Sequence, residues 1–430
     1  MLLTRAARVV PTTSFQQVLY YLLASDCEHR SAGAPESPPV TVPYARLSAI
    51  YFAYFAFVGA FAPYFSLYLK AVGATAWEIG VLISIMQLTR VFAPNFWAWV
   101  ADHHGRRIAL MRASLALAAL SFCGIYATRS FWGIFVVLAL LAFFSSAANP
   151  LLEATTFSAL RGRLERYGTI RMWGSIGFIG AVLAVGAALD RLAIDNLLWM
   201  LLGVLAVAAG LAWLLPAGGE PRPTERERLW LVARRPEVMT LLFACFLMSV
   251  SHGPLFTFLS IYLTDLGYSK TAVGVLWSLG VIAEIVVFLA APRWVTRFDP
   301  RTILIASFAC AVVRFLLIGW GARNAALVTF AQILHAATFG SYHLAALAVV
   351  NAWFSGARQV RGQALYLSLS FGAGGFLGGL ASGALWGMIG PSWTFTASAV
   401  VAGAGVAVLF TRKSLMPAAN PSSRTGSETL

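Results

Sequence analysis

Twelve apolar runs divide this chain, and each is long enough to cross a bilayer as a helix, which takes about 20 residues. The runs fall at 46–70, 76–101, 108–128, 131–155, 169–190, 195–215, 238–264, 271–295, 302–322, 324–351, 360–388 and 391–411. None alternates apolar and polar residues at every second position, as the strands of a membrane barrel do. With 59% hydrophobic and 11% charged residues, a water-soluble fold would leave too much apolar surface exposed. The sequence therefore predicts an all-α membrane protein with twelve transmembrane helices.

An internal repeat divides these segments into two sets of six. Residues 66–82 (SLYLKAVGATAWEIGVL) align without a gap on residues 260–276 (SIYLTDLGYSKTAVGVL), at an offset of 194 positions. The identical pairs are Ser66/Ser260, Tyr68/Tyr262, Leu69/Leu263, Gly73/Gly267, Gly80/Gly274, Val81/Val275 and Leu82/Leu276. Such a repeat in an apolar chain is typical of transporters in which one half rocks against the other around a central site.

Polar segments set the boundaries of the two halves. We predict six-helix halves at 45–215 and 238–412, joined by a cytoplasmic linker at 216–237 that is rich in Pro, Gly and charge. Residues 1–44 contain five prolines and are predicted to be a disordered cytoplasmic leader, although a start codon assigned too far upstream explains them equally well. Residues 413–430 are predicted to be a disordered tail.

Basic residues are distributed unequally across the predicted bundle. With the N-terminus inside, 24 Lys and Arg residues lie on the inner side and five on the outer side. This asymmetry predicts that both termini are cytoplasmic. The net charge of +14 therefore reports orientation in the membrane, and we expect no nucleic-acid partner.

Five ionisable side chains fall near mid-membrane depth: Arg90, His252, Glu284, Arg314 and His335. A charge there costs about 2.5–3.5 kcal/mol or more, so it normally pairs or faces a wet cavity. Glu284 follows Arg90 by 194 residues, at the equivalent point of the repeat. Glu284, Arg314 and His335 lie on successive helices, where a carboxylate beside a cation and an imidazole can relay a proton. A purely structural ion pair is the alternative.

Polar and aromatic side chains recur on single faces of two predicted helices. At 100° per residue, five residues of the tenth helix share an arc of about 100°: Gln332, His335, Phe339, Tyr342 and His343. A similar arc of the first helix holds Tyr54, Phe57, Phe61, Tyr64 and Tyr68. We expect these faces to line a central cavity, with helix packing or an interfacial aromatic belt as the alternative. Gly375, Gly379, Gly383 and Gly387 predict a close helix contact.

The loop between the second and third helices carries a carboxylate and two cations. Asp102, Gly105, Arg106 and Arg107 form a D-x-x-G-R-R pattern whose charges can hold an inner gate shut, or can simply be a positive-inside turn. His103 and His104 have no further ligands nearby in sequence, so we predict no metal site. The pattern resembles the signature loop of the major facilitator superfamily.

Further stretches resemble one branch of that superfamily. Residues 167–175 (YGTIRMWGS) are similar to the start of helix 5 in the branch that holds phenylpropionate, nucleoside and lactose permeases. Residues 267–284 and 333–346 closely resemble the bacterial 3-phenylpropionate permease family. The resemblance covers residues 46–412. It implies the major facilitator fold and proton-coupled uptake across the bacterial inner membrane.

The placement of Glu284, Arg314 and His335 is similar to that of a carboxylate, an arginine and a histidine on helices 8, 9 and 10 of lactose permease. That family's second helix 10 carboxylate is replaced by Thr338 here. A sugar site would also need a helix 4 carboxylate and a helix 5 arginine. Glu153 and Arg171 are on those helices but near the cytoplasmic end, which weakens the case for a sugar.

We therefore expect a secondary transporter that couples protons to uptake of an aromatic or other monocarboxylate, such as 3-phenylpropionate, by alternating access. Arg90 or Arg314 would pair with the carboxylate. The other expected substrate-binding residues are Tyr54, Phe61, His252, Gln332 and Phe339. A sugar or nucleoside symporter and a drug-efflux antiporter remain alternatives. We expect no enzymatic activity, no cofactor besides the proton gradient, and a monomer in the bilayer.

Overall fold

The structure, a computed structural model, describes residues 43–104, 106–160, 166–215, 230–295, 297–354 and 358–417. Every regular element in these ranges is helical. Of the predicted leader at 1–44, linker at 216–237 and tail at 413–430, residues 1–42, 216–229 and 418–430 lie outside the described residues.

Twelve helices, α1 to α12, cross the bundle within the described ranges. The first six are α1 Tyr44–Ala71, α2 Ala76–His104, α3 Arg107–Cys123, α4 Phe131–Ser145 continued by Ala148–Leu160, α5 Tyr167–Leu189 and α6 Asn196–Ala212. The second six are α7 Pro236–Ser251 continued by Gly253–Asp265, α8 Lys270–Trp294, α9 Pro300–Gly321, α10 Ala325–Trp353, α11 at 359–389 and α12 at 391–410. One further turn of helix, Trp230–Ala233, precedes α7.

The predicted number of transmembrane helices is confirmed. Ten helical stretches of the described chain are long and apolar enough to cross a membrane. One of them, Arg361–Phe410, is two helices, because Gly390 adopts φ 77° and ψ 175° just before Pro391 and bends the chain. The apolar α6 is shorter, with 17 residues. Nine single crossings, the bent pair and α6 make twelve, so the chain is a multi-pass membrane protein.

The sequence repeat corresponds to two loops of the same construction. Gly73 and Gly267 have φ values of 90° and 92°, a left-handed conformation that glycine adopts without steric cost. After the first loop, Thr75 and Glu78 cap α2 reciprocally, each side chain accepting the other residue's backbone amide. After the second, the Ser269 hydroxyl accepts an amide of the first turn of α8. Each loop therefore ends one helix and starts the next by local chemistry.

Two seams join the halves, where α2 packs on α11 and α5 packs on α8. The predicted glycine stripe makes the first seam close. A Cβ on Gly379 would lie 2.2 Å from Ser84 Oγ, and one on Gly383 would lie 2.9 Å from the Ala76 carbonyl oxygen. In the second seam, a Cβ on Gly274 would lie 2.9 Å from the Val182 carbonyl oxygen. Glycine thus sets the separation of the halves at both seams.

Polar contacts close the bundle at its predicted outer end. Lys70 of α1 forms a salt bridge with Asp265 of α7. The Asp190 carboxylate, just after α5, accepts the backbone amides of Lys270 and Thr271 at 2.7 and 2.9 Å. These two amides begin α8, so an acid of the first half caps a helix of the second half. In the predicted orientation, a central cavity lies between the halves on the cytoplasmic side of these contacts.

Candidate functional site

A cavity of about 520 Å³ lies between the two halves, a volume typical of small-molecule sites. Helices α1, α2, α4 and α5 supply one wall, and α7 to α11 supply the other. All nine predicted substrate and proton residues line it: Tyr54, Phe61, Arg90, His252, Glu284, Arg314, Gln332, His335 and Phe339. Of the predicted α1 stripe, Tyr64 instead donates to the carbonyl oxygens of Val182 and Lys270 in the seam between α5 and α8.

Glu284 of α8 and His335 of α10 face each other in the wall. The distance from His335 Nε2 to Glu284 Oε2 is 3.8 Å, and the side chains are 13% and 19% exposed. Glycines make room for both: a Cβ on Gly280 would lie 3.3 Å from the His335 ring, and one on Gly340 would lie 3.3 Å from Glu284 Cγ. The two groups are not hydrogen-bonded at this distance, and an approach of about 1 Å would bring them within reach for proton transfer.

Arg314 does not form the ion pair with Glu284 that the sequence suggested. Its Nε donates to the Ala331 carbonyl oxygen at 3.0 Å, its Nη1 to Thr338 Oγ1 at 2.9 Å, and its Nη2 to Gln332 Oε1 at 3.3 Å. All three acceptors are neutral and lie on α10. The neutral Thr338 hydroxyl therefore contacts the guanidinium at the position where the lactose permease family has a carboxylate.

His252 lies at the break between the two parts of α7 and contacts the same guanidinium. Its Nδ1 is 2.8 Å from the Met248 carbonyl oxygen, and its Nε2 is 3.5 Å from Arg314 Nη1. Because a carbonyl oxygen only accepts, Nδ1 must hold the proton. The lone pair of Nε2 then faces the arginine, which fits a neutral imidazole held in the cavity wall.

Two π-helical segments border the cavity, Ala336–Ser341 in α10 and Ser368–Gly374 in α11. Such segments inside α-helices occur frequently at functional sites. On the first, Phe339 stacks between His335 and His343, with ring centroids 5.2 and 6.2 Å apart and planes 16° apart in both pairs. Phe371 of the second packs on Phe339 at 5.8 Å. This aromatic wall presents flat rings to the cavity.

Arg90 of α2 is exposed to the cavity. Among the described residues, no hydrogen-bond acceptor lies within reach of its guanidinium, whereas Arg314 has several. Tyr54 of α1 is near enough to interact electrostatically with Arg90. The Arg90 donors are therefore available to a solute.

Sequence reasoning missed Arg171, because its backbone lies in the second turn of α5, near the predicted cytoplasmic end. Its long side chain nevertheless reaches the cavity wall. The guanidinium carbon lies 4.0 Å above the Phe55 ring and 5.6 Å above the Tyr51 ring. It also interacts electrostatically with Glu284 across the halves. The depth argument against a sugar site therefore does not apply to Arg171.

Positive side chains predominate in the cavity wall. The guanidinium groups of Arg90, Arg171 and Arg314 line it, and Glu284 is the one carboxylate among the described lining residues. Glu153 of α4 is buried outside the lining and accepts a hydrogen bond from Asn149 at 3.0 Å. The cavity thus suits a solute that carries negative charge.

The predicted gating loop is described only in part. Gly105 and the side chain of Asp102 lie outside the described residues. Arg106 is exposed and precedes α3, and Arg107 begins that helix. The gating role of these four residues stays a prediction.

Sequence comparison relates the chain to known transporters. The model of the MFS_1 like family matches residues 44–397. A protein described as a probable 3-phenylpropionic acid transporter of Escherichia coli (strain K12) is 31% identical over 331 residues, which are 75% of this chain and 86% of that protein. The maltose permease of Geobacillus stearothermophilus is 31% identical over 274 residues, 62% of this chain and 68% of that protein.

Solved structures share the fold. The nucleoside transporter NupG superposes with a TM-score of 0.76 at 17% identity, covering 86% of this chain and 97% of its own. A bacterial homologue of the human lysosomal transporter Spinster, in an inward-facing and unoccupied conformation, gives 0.64 at 14% identity over 86% of this chain and 97% of its own. The family match and the 31% identical relative make the conclusion plain. This chain is a membrane transporter, not an enzyme, and it belongs to the MFS_1 like family of the major facilitator superfamily.

Proposed function

We propose that this transporter couples the uptake of a small organic monocarboxylate with an aromatic body, such as 3-phenylpropionate, to protons. The observation that carries the proposal is the charge of the cavity wall, where three guanidinium groups face the space and a single carboxylate does. A solute with a carboxylate offsets the excess of positive charge in the wall, whereas a neutral solute leaves that excess in place. The name of the Escherichia coli relative supports the same class of solute.

Arg90 is the proposed ligand of the substrate carboxylate. It is exposed in the cavity and its donors have no acceptor in the described part of the chain, so binding a carboxylate breaks no existing contact. The planar guanidinium matches a carboxylate with two parallel hydrogen bonds. Phe339 would then hold the aromatic body by stacking, and Tyr54 and Phe61 would enclose it from α1. Gln332 and His252 contact the Arg314 guanidinium and hold it in the wall of the cavity.

Glu284 is the proposed proton carrier, with His335 as its exchange partner at 3.8 Å. A substrate carboxylate in the same cavity favours the neutral, protonated form of Glu284, because two negative charges repel in a medium of low dielectric constant. Anion and proton therefore bind cooperatively, which favours a transporter loaded with both over one loaded with either alone. Arg171, on the opposite half, is placed to favour the ionised form of Glu284 once the substrate has left.

We also propose the membrane, the orientation and the oligomeric state of the protein. It is a monomer in the bacterial inner membrane with both termini in the cytoplasm. The excess of Lys and Arg on one side of the bundle supports this orientation, and the bacterial relatives support the membrane. The loop at 102–107 would gate the cytoplasmic side.

A sugar is the second candidate substrate. Two observations favour it: the identity to a maltose permease, and the reach of Arg171 into the cavity. A sugar site needs several hydrogen-bonding groups around the ring, and Arg171 with Glu284 would supply two of them.

Competition for uptake distinguishes these substrates. Purified protein in liposomes, with an inward proton gradient, is given radiolabelled 3-phenylpropionate and excess unlabelled competitor. We expect 3-phenylpropionate and related arylalkanoates to compete. The uncharged amide of 3-phenylpropionate, maltose and uridine should not, since none supplies a carboxylate. Protein-free liposomes control for passive entry of the weak acid. Strong competition by maltose or by the amide would contradict the monocarboxylate proposal.

A further inference from the structure

Within the described ranges, Arg314 is a buried cation without a counter-ion. Arg314 is only 1% exposed, yet its guanidinium contacts only uncharged groups: a carbonyl oxygen, a hydroxyl, an amide and an imidazole. No carboxylate within the described ranges lies at ion-pair distance from it. A buried charge is expensive unless an opposite charge compensates it.

Gln332 adds an unused donor beside this cation. Because a guanidinium only donates, the amide atom that faces Arg314 Nη2 at 3.3 Å must be the oxygen, Oε1. The atom left over is therefore Nε2, a buried donor that has no partner among the described residues, in a residue that is 3% exposed. Flipping the amide would only place Nε2 against the guanidinium. A buried donor without an acceptor costs about 1–3 kcal/mol.

His335 supplies a third polar group, one helical turn after Gln332. Residues three apart lie on the same face of a helix, and His335 follows Gln332 by three positions on α10. The His335 Nδ1 atom is buried and has no hydrogen-bond partner in the part of the chain that the structure describes. It donates in the imidazolium form, and also in the neutral tautomer whose Nε2 accepts from a protonated Glu284.

We propose that Arg314, Gln332 and His335 form a binding site for a small anion, separate from the Arg90 site. All three residues line the cavity, so an anion can reach them from it. The ligand has the chemistry of a chloride ion or of a single carboxylate group. The bound anion accepts from Gln332 Nε2 and His335 Nδ1 and neutralises Arg314. If the ligand is the substrate carboxylate, the inference rests on the proposed monocarboxylate substrate and assigns its carboxylate to this site in place of Arg90; if the ligand is chloride, the inference rests on neither.

Thermal unfolding of the purified protein in detergent tests the site without transport. Unfolding is followed in methanesulfonate buffer, whose anion is neither a halide nor a carboxylate, and in chloride buffer of equal ionic strength, with no substrate present. We expect 100 mM chloride to raise the midpoint temperature by about 1–3 °C, because a ligand that binds only the folded state stabilises it. A second series adds 3-phenylpropionate to the methanesulfonate buffer.

The Gln332→Glu variant supplies a counter-ion from within the protein. It should unfold at a higher temperature in methanesulfonate than the wild type and should no longer respond to chloride. Gln87→Glu is the matched control, since it places the same charge elsewhere in the cavity wall. It should keep the response, as should Arg90→Gln. Gln332→Met, which removes the donor without adding charge, should respond at least tenfold more weakly if Gln332→Glu does not fold.

The two sources of the anion give different results. A chloride response that is lost in the Gln332 variants supports an inorganic anion. A 3-phenylpropionate response that survives Arg90→Gln, is lost in the Gln332 variants and has no chloride counterpart supports the substrate carboxylate. A wild type that responds to neither anion overturns the site, and so do responses that survive both Gln332 variants. A chloride response in a protein that fails to transport 3-phenylpropionate refutes only the proposed function.

Discussion

At the scale of single residues, the direction of each long side chain determines which groups it contacts, and the sequence did not show that direction. Position along the apolar segments placed Glu284, Arg314 and His335 at one depth, and all three line the cavity. Periodicity alone does not show which acceptor a long side chain reaches. Arg314 contacts neutral groups on α10, whereas Arg171 reaches the cavity from a position that its backbone depth seemed to exclude. Depth estimates fail for arginine because its guanidinium lies far from its Cα.

Replacing Arg90 tests the substrate ligand. Arg90→Gln should raise the KM for 3-phenylpropionate uptake about 10- to 100-fold, because a hydrogen bond to a charged group contributes about 1.5–3 kcal/mol. Arg90→Lys should lose less, since it keeps the charge but not the two parallel donors. Arg323→Gln, in an exposed residue outside the cavity lining, is the matched control and should leave KM unchanged. Equal KM values for Arg90→Gln and the wild type would remove Arg90 from the site.

At the scale of elements, the repeat is explained by its loops. Gly73 and Gly267 hold the same left-handed conformation, and in both cases a Cβ would meet no atom within 4 Å. The constraint at these positions is therefore backbone conformation and not space. The repeated loop gives both halves the same turn, which reverses the chain between two long helices.

Alanine substitutions in these loops measure that constraint. Gly73→Ala and Gly267→Ala should each destabilise the protein by about 1–2 kcal/mol, because L-residues pay this much in the left-handed region. The shift in reversible unfolding in detergent reports the change. Gly203→Ala, within α6 and also without a neighbour at 4 Å, should be neutral or stabilising, since alanine favours helix. Equal effects at all three sites would contradict the conformational argument.

The π-helical segments were not predictable. A regular period of 100° per residue already placed Gln332, His335 and Phe339 on one face, so the pattern gave no sign of a wider turn. Tertiary contacts accompany these segments: the Tyr342 hydroxyl, just after the first, is 3.2 Å from Ser370 Oγ in the second and 3.3 Å from the Cys245 carbonyl oxygen. The sequence period of one helix does not show which residues of two other helices it contacts.

At the scale of the whole molecule, two carboxylates link the halves at the predicted outer end, Asp265 through Lys70 and Asp190 through the start of α8. Asp190 accepts hydrogen bonds from two backbone amides and from the Thr271 hydroxyl. Burial raises the pKa of the Asp190 carboxyl, but the hydrogen bonds from Thr271 and Lys270 outweigh it and hold the pKa below its ordinary value. The contact therefore favours the closed arrangement above about pH 4, the ordinary pKa of an Asp, and loses strength as the pH falls through the lowered value.

Distances between spin labels test this contact. Labels at Val72→Cys and Leu266→Cys, equivalent loop positions of the repeat, are placed in a variant without native cysteines. Asp190→Asn should increase the fraction of long distances at pH 7, because the neutral amide binds the α8 amides more weakly. Without that substitution, the distances should be constant from pH 7 to 5 and lengthen below about pH 4. Asp195→Asn, an exposed acid in the same loop, should change nothing. A pH response that persists in Asp190→Asn would assign the effect to another group.

The overall architecture was predictable because hydrophobic length is a strong signal: the twelve crossings follow from it. The repeat indicated the two halves, and the glycine stripe indicated that another helix packs closely on α11, although not which one. The closure of the outer end was not predictable, since Asp190 and Lys270 are 80 residues apart and carry no common pattern. Contacts between halves depend on how two rigid units dock, which local sequence does not encode.

Proton flux during uptake tests the central claim most directly. Liposomes containing the protein and a pH-sensitive dye in the lumen receive external 3-phenylpropionate, with the membrane potential clamped. We predict luminal acidification beyond that of protein-free liposomes, in step with substrate uptake. Glu284→Gln should abolish this acidification and gradient-driven accumulation while retaining exchange of labelled for unlabelled substrate. Accumulation without acidification beyond the control, or acidification by Glu284→Gln equal to that of the wild type, would contradict proton coupling through Glu284.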